Sequence, residues 1–340
     1  MERISKKHEM TRLLNVILLS KDQDYAIEQF EKRSFDWKHF LDFLVRNKVT
    51  VRTLQRLREQ GEKLPEDAER MLSNAEQKKK QKLQVLRMVD TLFAENEIKY
   101  ILMKFIESWP DLGRDTDCFV GNKIKRAEKL VQSNFPAREI PLSLSDRLTN
   151  SKSSFFIGEV ELELYGKITQ LGEHYFAGSK IIERAANVAV DGLRIPVPSF
   201  EDGLLITCVH CMYRHRRIKY SEILVAAKAI CTDNVDWEYV FQNASKAGIL
   251  HGLAFFLSTA RALLNQYTSQ TKNMQSEQLS WTRSFPAAVP TSRVSQFYGR
   301  KFLNEIGSLR LSSASHVGAI PFLGIIAELS QKLKLGFRIW

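Results

Sequence analysis

Apolar residues recur at spacings of three and four from the N-terminus to about Asn96. The stretches TRLLNVILLS, DWKHFLDFLVRNK, VRTLQRLREQ and KLQVLRMVDTLFAEN all carry that period, which predicts helices with one apolar face, and Asp36 is placed to cap one of them. The basic run QKKKQK, Gln77–Lys82, falls between two such segments. It reads as the solvated face of a helix, because no aromatic residues interleave with it as they would in a nucleic-acid stacking platform. The pattern then changes. IKYILMK is a short β-branched and aromatic run that predicts a buried strand, and a loop containing Pro110 and Gly113 separates it from a second strand in TDCFV. KIKRAEKLVQSNF predicts a helix, and IPLSLS and GEVELELYG both alternate as strands do, with DRLTNSKSS as a loop between them. In the last run Val160, Leu162 and Leu164 face one way and Glu159, Glu161 and Glu163 the other, which predicts one wet sheet face lined with carboxylates.

Past LRIPVPSFED the helical period returns. Pro196 and Pro198 stiffen an extended link, and Ser199 can cap a helix beginning near Phe200. Further helices are expected in YSEILVAAKAIC, WEYVFQNASKAG and LHGLAFFLSTARALL, and a loop from Thr268 to about Val294. Taken together, the pattern predicts an α+β protein. An N-terminal helical region (1–93) and a C-terminal helical domain (195–340) flank a small mixed-sheet core (94–194).

Composition narrows this picture modestly. The 340 residues are 44% hydrophobic and 26% charged, as in a globular protein rather than a disordered one. No apolar run approaches the roughly 20 residues that span a bilayer, and MERISKKHEM lacks the apolar segment of a signal peptide, so a cytoplasmic protein is expected. The four cysteines do not make a disulfide framework in a chain of this size. A formal charge of +11 permits an anionic partner without choosing among nucleotide, nucleic acid and membrane surface.

The candidate chemistry lies in the second strand. Asp115 and Asp117 share one face while Thr116 and Cys118 point the other way. Like charges so placed repel unless solvent or a cation separates them, and Mg²⁺ is held by one or two carboxylates together with substrate phosphates. With one of the later glutamates, the two aspartates would suit a site in which divalent ions roughly 3.5–4 Å apart assist phosphoryl transfer. The other clusters are weaker. Cys208 and Cys211 lie in an apolar helical run and read as core, His210 as a buried histidine, and RHRRIK, Arg214–Lys219, as either a phosphate clamp or a solvated helix end. No P-loop or G-x-G-x-x-G is present.

The order YILMK, WPDLGR, DTDCFV and VELELYGKI resembles the uncharacterised nucleotidyltransferases of the DNA polymerase β-like superfamily. GEHYF, IPVPSFEDGLLITCVHCMYRH, KYSEI and FLVRNKVTVRTLQRL are similar to flanking segments, so the resemblance runs from about Phe40 to Ile230. It implies a nucleotidyltransferase core that moves a nucleoside monophosphate from an NTP to an acceptor hydroxyl on a sugar, metabolite, protein or RNA. Asp115, Asp117 and Glu163 would be the catalytic, metal-holding acids for Mg²⁺ or Mn²⁺, with Glu161 the alternative third acid, and Lys104, Arg114, Arg216 and Arg217 would bind the nucleotide. One departure stands out. Where the superfamily usually has Gly-Ser or Gly-Gly, this chain has Lys104-Phe105, which keeps open a catalytically inactive nucleotide-binding or scaffold protein on the same fold. The positive charge also leaves a helical nucleic-acid-binding protein as a third reading.

Overall fold

The N-terminal period resolves into α1 (Trp37–Asn47), α2 (Thr50–Glu59) and α3 (Glu66–Glu95). The computed structural model describes residues 10–11, 13–15, 17–18, 35–142, 152–170, 173–214 and 217–267. The expected loop at Thr268–Val294 lies outside them. Asp36 caps α1, its side chain accepting from His39 N–H at 3.0 Å. The basic run is not a junction between two helices, because α3 passes through it unbroken for 30 residues. The first half of α3 packs Ala68 and Leu72 against α1 and α2, whereas Leu83, Leu86, Val89 and Phe93 of its second half belong to the core under the sheet. One helix therefore ties the N-terminal helices to the sheet.

The class is α+β. Strands β1 (Ile101–Met103), β2 (Asp115–Phe119), β3 (Ala137–Glu139), β4 (Lys152–Ile157) and β5 (Val160–Tyr165) form one mixed sheet in the order β1-β2-β5-β4-β3. β2 and β5 run parallel and the other neighbours antiparallel. A short helix, α4 (Phe105–Ser108), follows β1, and α5 (Ile124–Asn134) follows β2. Leu102, Cys118, Leu162 and Leu164 point to one face and share a core with α3 and α5. Ile101, Met103, Phe119 and Tyr165 point to the other, where Ile181 and Ile206 cover them.

Several expectations change at this point. The alternating run from Ile140 is not a strand over the described residues, and the nearby pairing belongs to β3, just upstream. Lys152, Ser153 and Ser154, expected in a loop, begin β4. The glutamate face of β5 is not wet: Glu161 and Glu163 are as buried as the leucines, because cationic side chains rather than water cover them. Pro196 lies in a hairpin rather than a link, between β8 (Ala186–Val190) and β9 (Leu193–Val197), with Asp191 and Gly192 both at positive φ as a two-residue turn requires. A second ribbon pairs β6 (Thr169–Gln170) with β7 (Glu173–His174), and α6 (Gly178–Glu183) precedes the hairpin.

The C-terminal helices are α7 (Phe200–Cys208), which continues into a π-helical turn over Val209–Arg214, then α8 (Tyr220–Ile230), α9 (Trp237–Lys246) and α10 (Leu250–Tyr267). Ser199 caps α7, its Oγ accepting from Asp202 N–H at 3.2 Å. Cys208 and Cys211 are buried in the core these helices share, and burial pushes both thiols up. No helix among the described residues is long and apolar enough to cross a membrane.

Candidate metal-binding carboxylate cluster

Parallel pairing of β2 with β5 sets Asp115 beside Glu161 and Asp117 beside Glu163. Side chains in register on neighbouring strands share a face, so the sheet itself brings the acids together. Asp115, Asp117 and Glu163 each offer a carboxylate oxygen within 4.8 Å of the other two, and they are the one group of three or more potential ligands among the described residues. Asp115 is exposed, while Asp117 and Glu163 are each 7% exposed. Glu161 turns instead to Arg114, whose Nε donates to it at 2.8 Å.

Two lysines hold the buried members. Lys104 Nζ lies 2.5 Å from Asp117 Oδ2, and Lys152 Nζ lies 2.5 Å from Glu163 Oε1. Tyr165 Oη donates to Glu163 Oε2, also at 2.5 Å. The two carboxyls are driven apart electrostatically. Burial alone would raise Asp117, but the adjacent Lys104 ammonium overrides it and holds the group below its ordinary value. Burial raises Glu163, Lys152 opposes, and the charge on Asp117 raises it further. Arg214 is exposed as a residue, yet its guanidinium reaches Tyr165 and the acids. Burial works to lower its pKa, and Tyr165, Asp117 and Glu163 raise it on balance.

The loop into β2 is pinned from below. Asp111 is buried and accepts from Val51 N–H at 2.5 Å and from Arg52 Nε at 2.6 Å, while the Arg52 guanidinium donates to Ser108 O and Trp109 O at 3.0 Å each. Lys82 Nζ donates to Gly113 O at 2.7 Å and Asp115 O at 2.8 Å. It is a buried loop anchor rather than part of a solvated face, and burial brings its pKa down to about 8 against the pull of Asp115 and Asp117. A Cβ on Gly113 would stand 2.8 Å from Asp115 Oδ1, so a larger residue there would push that carboxylate aside.

The departure at Lys104-Phe105 also acquires a shape. Lys104 has left-handed backbone (φ 58), the conformation a glycine adopts without cost, and its side chain reaches Asp117. Phe105 is buried in the core on the opposite side of the sheet, with its ring 5.8 Å from that of Trp109. That core is shared with Leu102, Cys118, Leu162 and Leu164, on the face of the sheet away from Asp117 and Glu163.

Of the remaining expected site residues, Arg217 is exposed and Arg216 lies outside the described residues. His210 Nδ1 is 3.5 Å from Glu222 Oε1. Lys82, Lys152 and Arg214 were missed. Arg214 alone carried a signal, as the first residue of the basic cluster. A cavity lined by Phe119, Gly121, Asn122, Gly166, Phe176 and Ser179 opens beyond the far ends of β2 and β5. Among the described residues, the carboxylates rather than this cavity bring three potential ligands within reach of one another. In comparisons with known proteins, no family model and no curated protein matches the chain.

Proposed function

We propose that the chain is a metal-dependent nucleotidyltransferase of the DNA polymerase β-like type, using an NTP and an acceptor hydroxyl. The observation that carries this reading is the convergence of Asp115, Asp117 and Glu163 on two adjacent parallel strands. The donor set fits Mg²⁺ or Mn²⁺, because all three potential ligands are carboxylate oxygens. When bound, such an ion would neutralise phosphate charge and make the acceptor hydroxyl more acidic.

The chain's own residues do the rest. Asp115, Asp117 and Glu163 would hold the ion, Lys82 holds the loop that aims Asp115, and Tyr165 orients Glu163. The acceptor oxygen bonds to the α-phosphorus as the bond from that phosphorus to the bridging oxygen breaks, pyrophosphate leaves, and the acceptor proton passes to a carboxylate of the cluster. Positioning and charge neutralisation supply the rate. A second reading is a silent nucleotide-binding or scaffold protein. The 2.5 Å ion pairs of Lys104 and Lys152 favour it, since both must yield before a divalent ion enters.

The double variant Asp115→Asn/Asp117→Asn separates the two. It is expected to lose Mg²⁺-dependent NTP turnover and the ligand-induced thermal stabilisation that wild type shows. A lower melting temperature, with no ligand effect in either protein, would make the pair architectural.

A further inference from the structure

Cations from three distant segments gather beside the carboxylates, and only Lys104, paired with Asp117, has an ion pair that accounts for its place. Lys48 closes α1 with left-handed backbone (φ 53), and its Nζ lies 3.9 Å from where a Cβ on Gly113 would stand, against the loop into Asp115. Tyr220 N–H donates to Asn47 Oδ1 at 3.3 Å, which fastens the start of α8 to the end of α1 and brings Lys219 to Lys48. Arg217 precedes Lys219 by two residues, its backbone N–H donating to Cys211 O at 3.0 Å. Lys104 joins from the end of β1. Among the described residues, neither the Lys48 ammonium nor the Arg217 guanidinium has an ion pair or side-chain hydrogen bond.

The gathering is electrostatically adverse. Lys219 is lowered by burial, Glu222 opposes, and Lys48, Arg217 and Lys104 lower it further. Buried Glu222, which accepts from Lys219 N–H at 2.6 Å, is the carboxylate that Lys48, Lys104 and Lys219 share, and one such charge offsets only part of the repulsion among four cations. The Arg52–Asp111 contacts nevertheless hold α2, which follows Lys48 directly, against the acid-bearing loop. An anion between the cations would turn that repulsion into attraction. A nucleic-acid strand calls for cations spread along a path with interleaved aromatic platforms. Here the cations converge beside the acids, as suits a short, dense polyanion.

We propose that Lys48, Lys104, Arg217 and Lys219 form a seat for a polyphosphate chain, the β- and γ-phosphates of a nucleoside triphosphate, with the N-terminal helices as one wall. The identity of the ligand rests on the transferase reading above. The seat itself does not, because it is testable without metal and without turnover.

The probe is inorganic tripolyphosphate, titrated calorimetrically into the full chain in EDTA at low salt, with melting curves verifying each variant's fold. Wild type is expected to bind it saturably. Lys48→Gln and Lys219→Gln should each weaken binding about tenfold or more, as loss of a charged hydrogen bond does. Arg217→Gln, at an exposed position, gives an independent variant should Lys219→Gln fail to fold. Asp115→Asn/Asp117→Asn should bind at least as tightly as wild type, since it removes negative charge beside the seat. The seat is overturned by the absence of saturable binding, by unchanged affinity in both Lys48→Gln and the second variant, or by a single-stranded oligonucleotide that displaces tripolyphosphate through the same residues. Mg²⁺-dependent turnover with unchanged tripolyphosphate affinity in the lysine variants would leave the transferase and remove the seat. Tripolyphosphate binding that needs Lys48 and Lys219, in a chain without turnover, would leave the seat and remove the transferase.

Discussion

Among the described residues, the carboxylates around Asp202 and those around Asp117 are built on opposite principles. Asp202 in the C-terminal helices accepts from Tyr239 Oη at 2.7 Å and Ser199 Oγ at 3.0 Å, and Arg184 Nε lies 3.3 Å from it, while Arg184 also reaches Glu201 at 3.2 Å. The Arg184 guanidinium stacks 3.8 Å over the Tyr239 ring. Every partner there is a neutral donor or a cation, and the two acids are turned outward around one arginine. Around Asp117, by contrast, three acids face one another within 4.8 Å, and the two buried carboxyls are pushed in opposite directions. A satisfied network holds a fold together. A frustrated one is the kind of place where a ligand is missing.

The largest effect expected from this contrast is on stability. Asp202→Ala should cost about 3–5 kcal/mol, because it leaves Arg184 and two hydroxyls with a buried partner removed. Urea unfolding would measure it. Asp115→Asn, which removes an exposed charge facing Asp117, should cost nothing by the same assay. A stability loss at Asp115 as large as that at Asp202 would erase the distinction between the two groups.

The acid cluster was legible for a reason that the network around it was not. A two-residue period fixes the face of Asp115 and Asp117 from sequence alone, and the same period puts Glu163 on one face of its own strand. Which glutamate meets the aspartates depends on the register of β2 against β5, and no local pattern encodes that register. Lys82 and Lys152 were opaque because a lysine in a polar run looks the same whether it meets water, a carbonyl 31 residues away or a carboxylate 11 residues away. Lys152 was hidden further by the serines beside it, which read as loop although they pair in β4. The β8–β9 hairpin did carry its signal, Asp191-Gly192 between alternating residues, but Pro196 drew the reading toward an extended link. The core helices were plain throughout, since Ser199 and Asp36 act as caps from adjacent positions.

A smaller effect tests the frustration directly through pH. Glu163 is raised by burial and by Asp117, so folding favours its protonated form relative to the unfolded chain. Its contribution to stability is fully present below the ordinary glutamate value and is lost as pH rises through the raised value. Asp117 is shifted down, so its contribution is lost at lower pH, below the ordinary aspartate value, and the two windows do not coincide. Holding a cation needs the Glu163 carboxylate. Mg²⁺-induced stabilisation should therefore grow with pH across the window in which metal-free stability declines. Melting curves with and without Mg²⁺ would show the two trends crossing, and Glu163→Gln should flatten both.

The smallest effect separates backbone from charge at Lys104. Its left-handed φ costs a non-glycine residue roughly 1 kcal/mol, whereas its ammonium meets the Asp117 carboxylate at 2.5 Å. Lys104→Ala removes the ammonium and keeps the strained backbone. Lys104→Gly removes both, at the modest expense of a more flexible unfolded chain. Lys104→Gly should therefore be the more stable of the two by up to about 1 kcal/mol, with both losing the cation that holds Asp117 ionised. If the ion pair serves mainly to fill a metal position, either variant should bind Mg²⁺ more tightly than wild type, because nothing has to be displaced from Asp117. Weaker Mg²⁺ binding in both, measured by calorimetry, would show that Lys104 supports the cluster instead of competing for it, and would move the chain toward the scaffold reading.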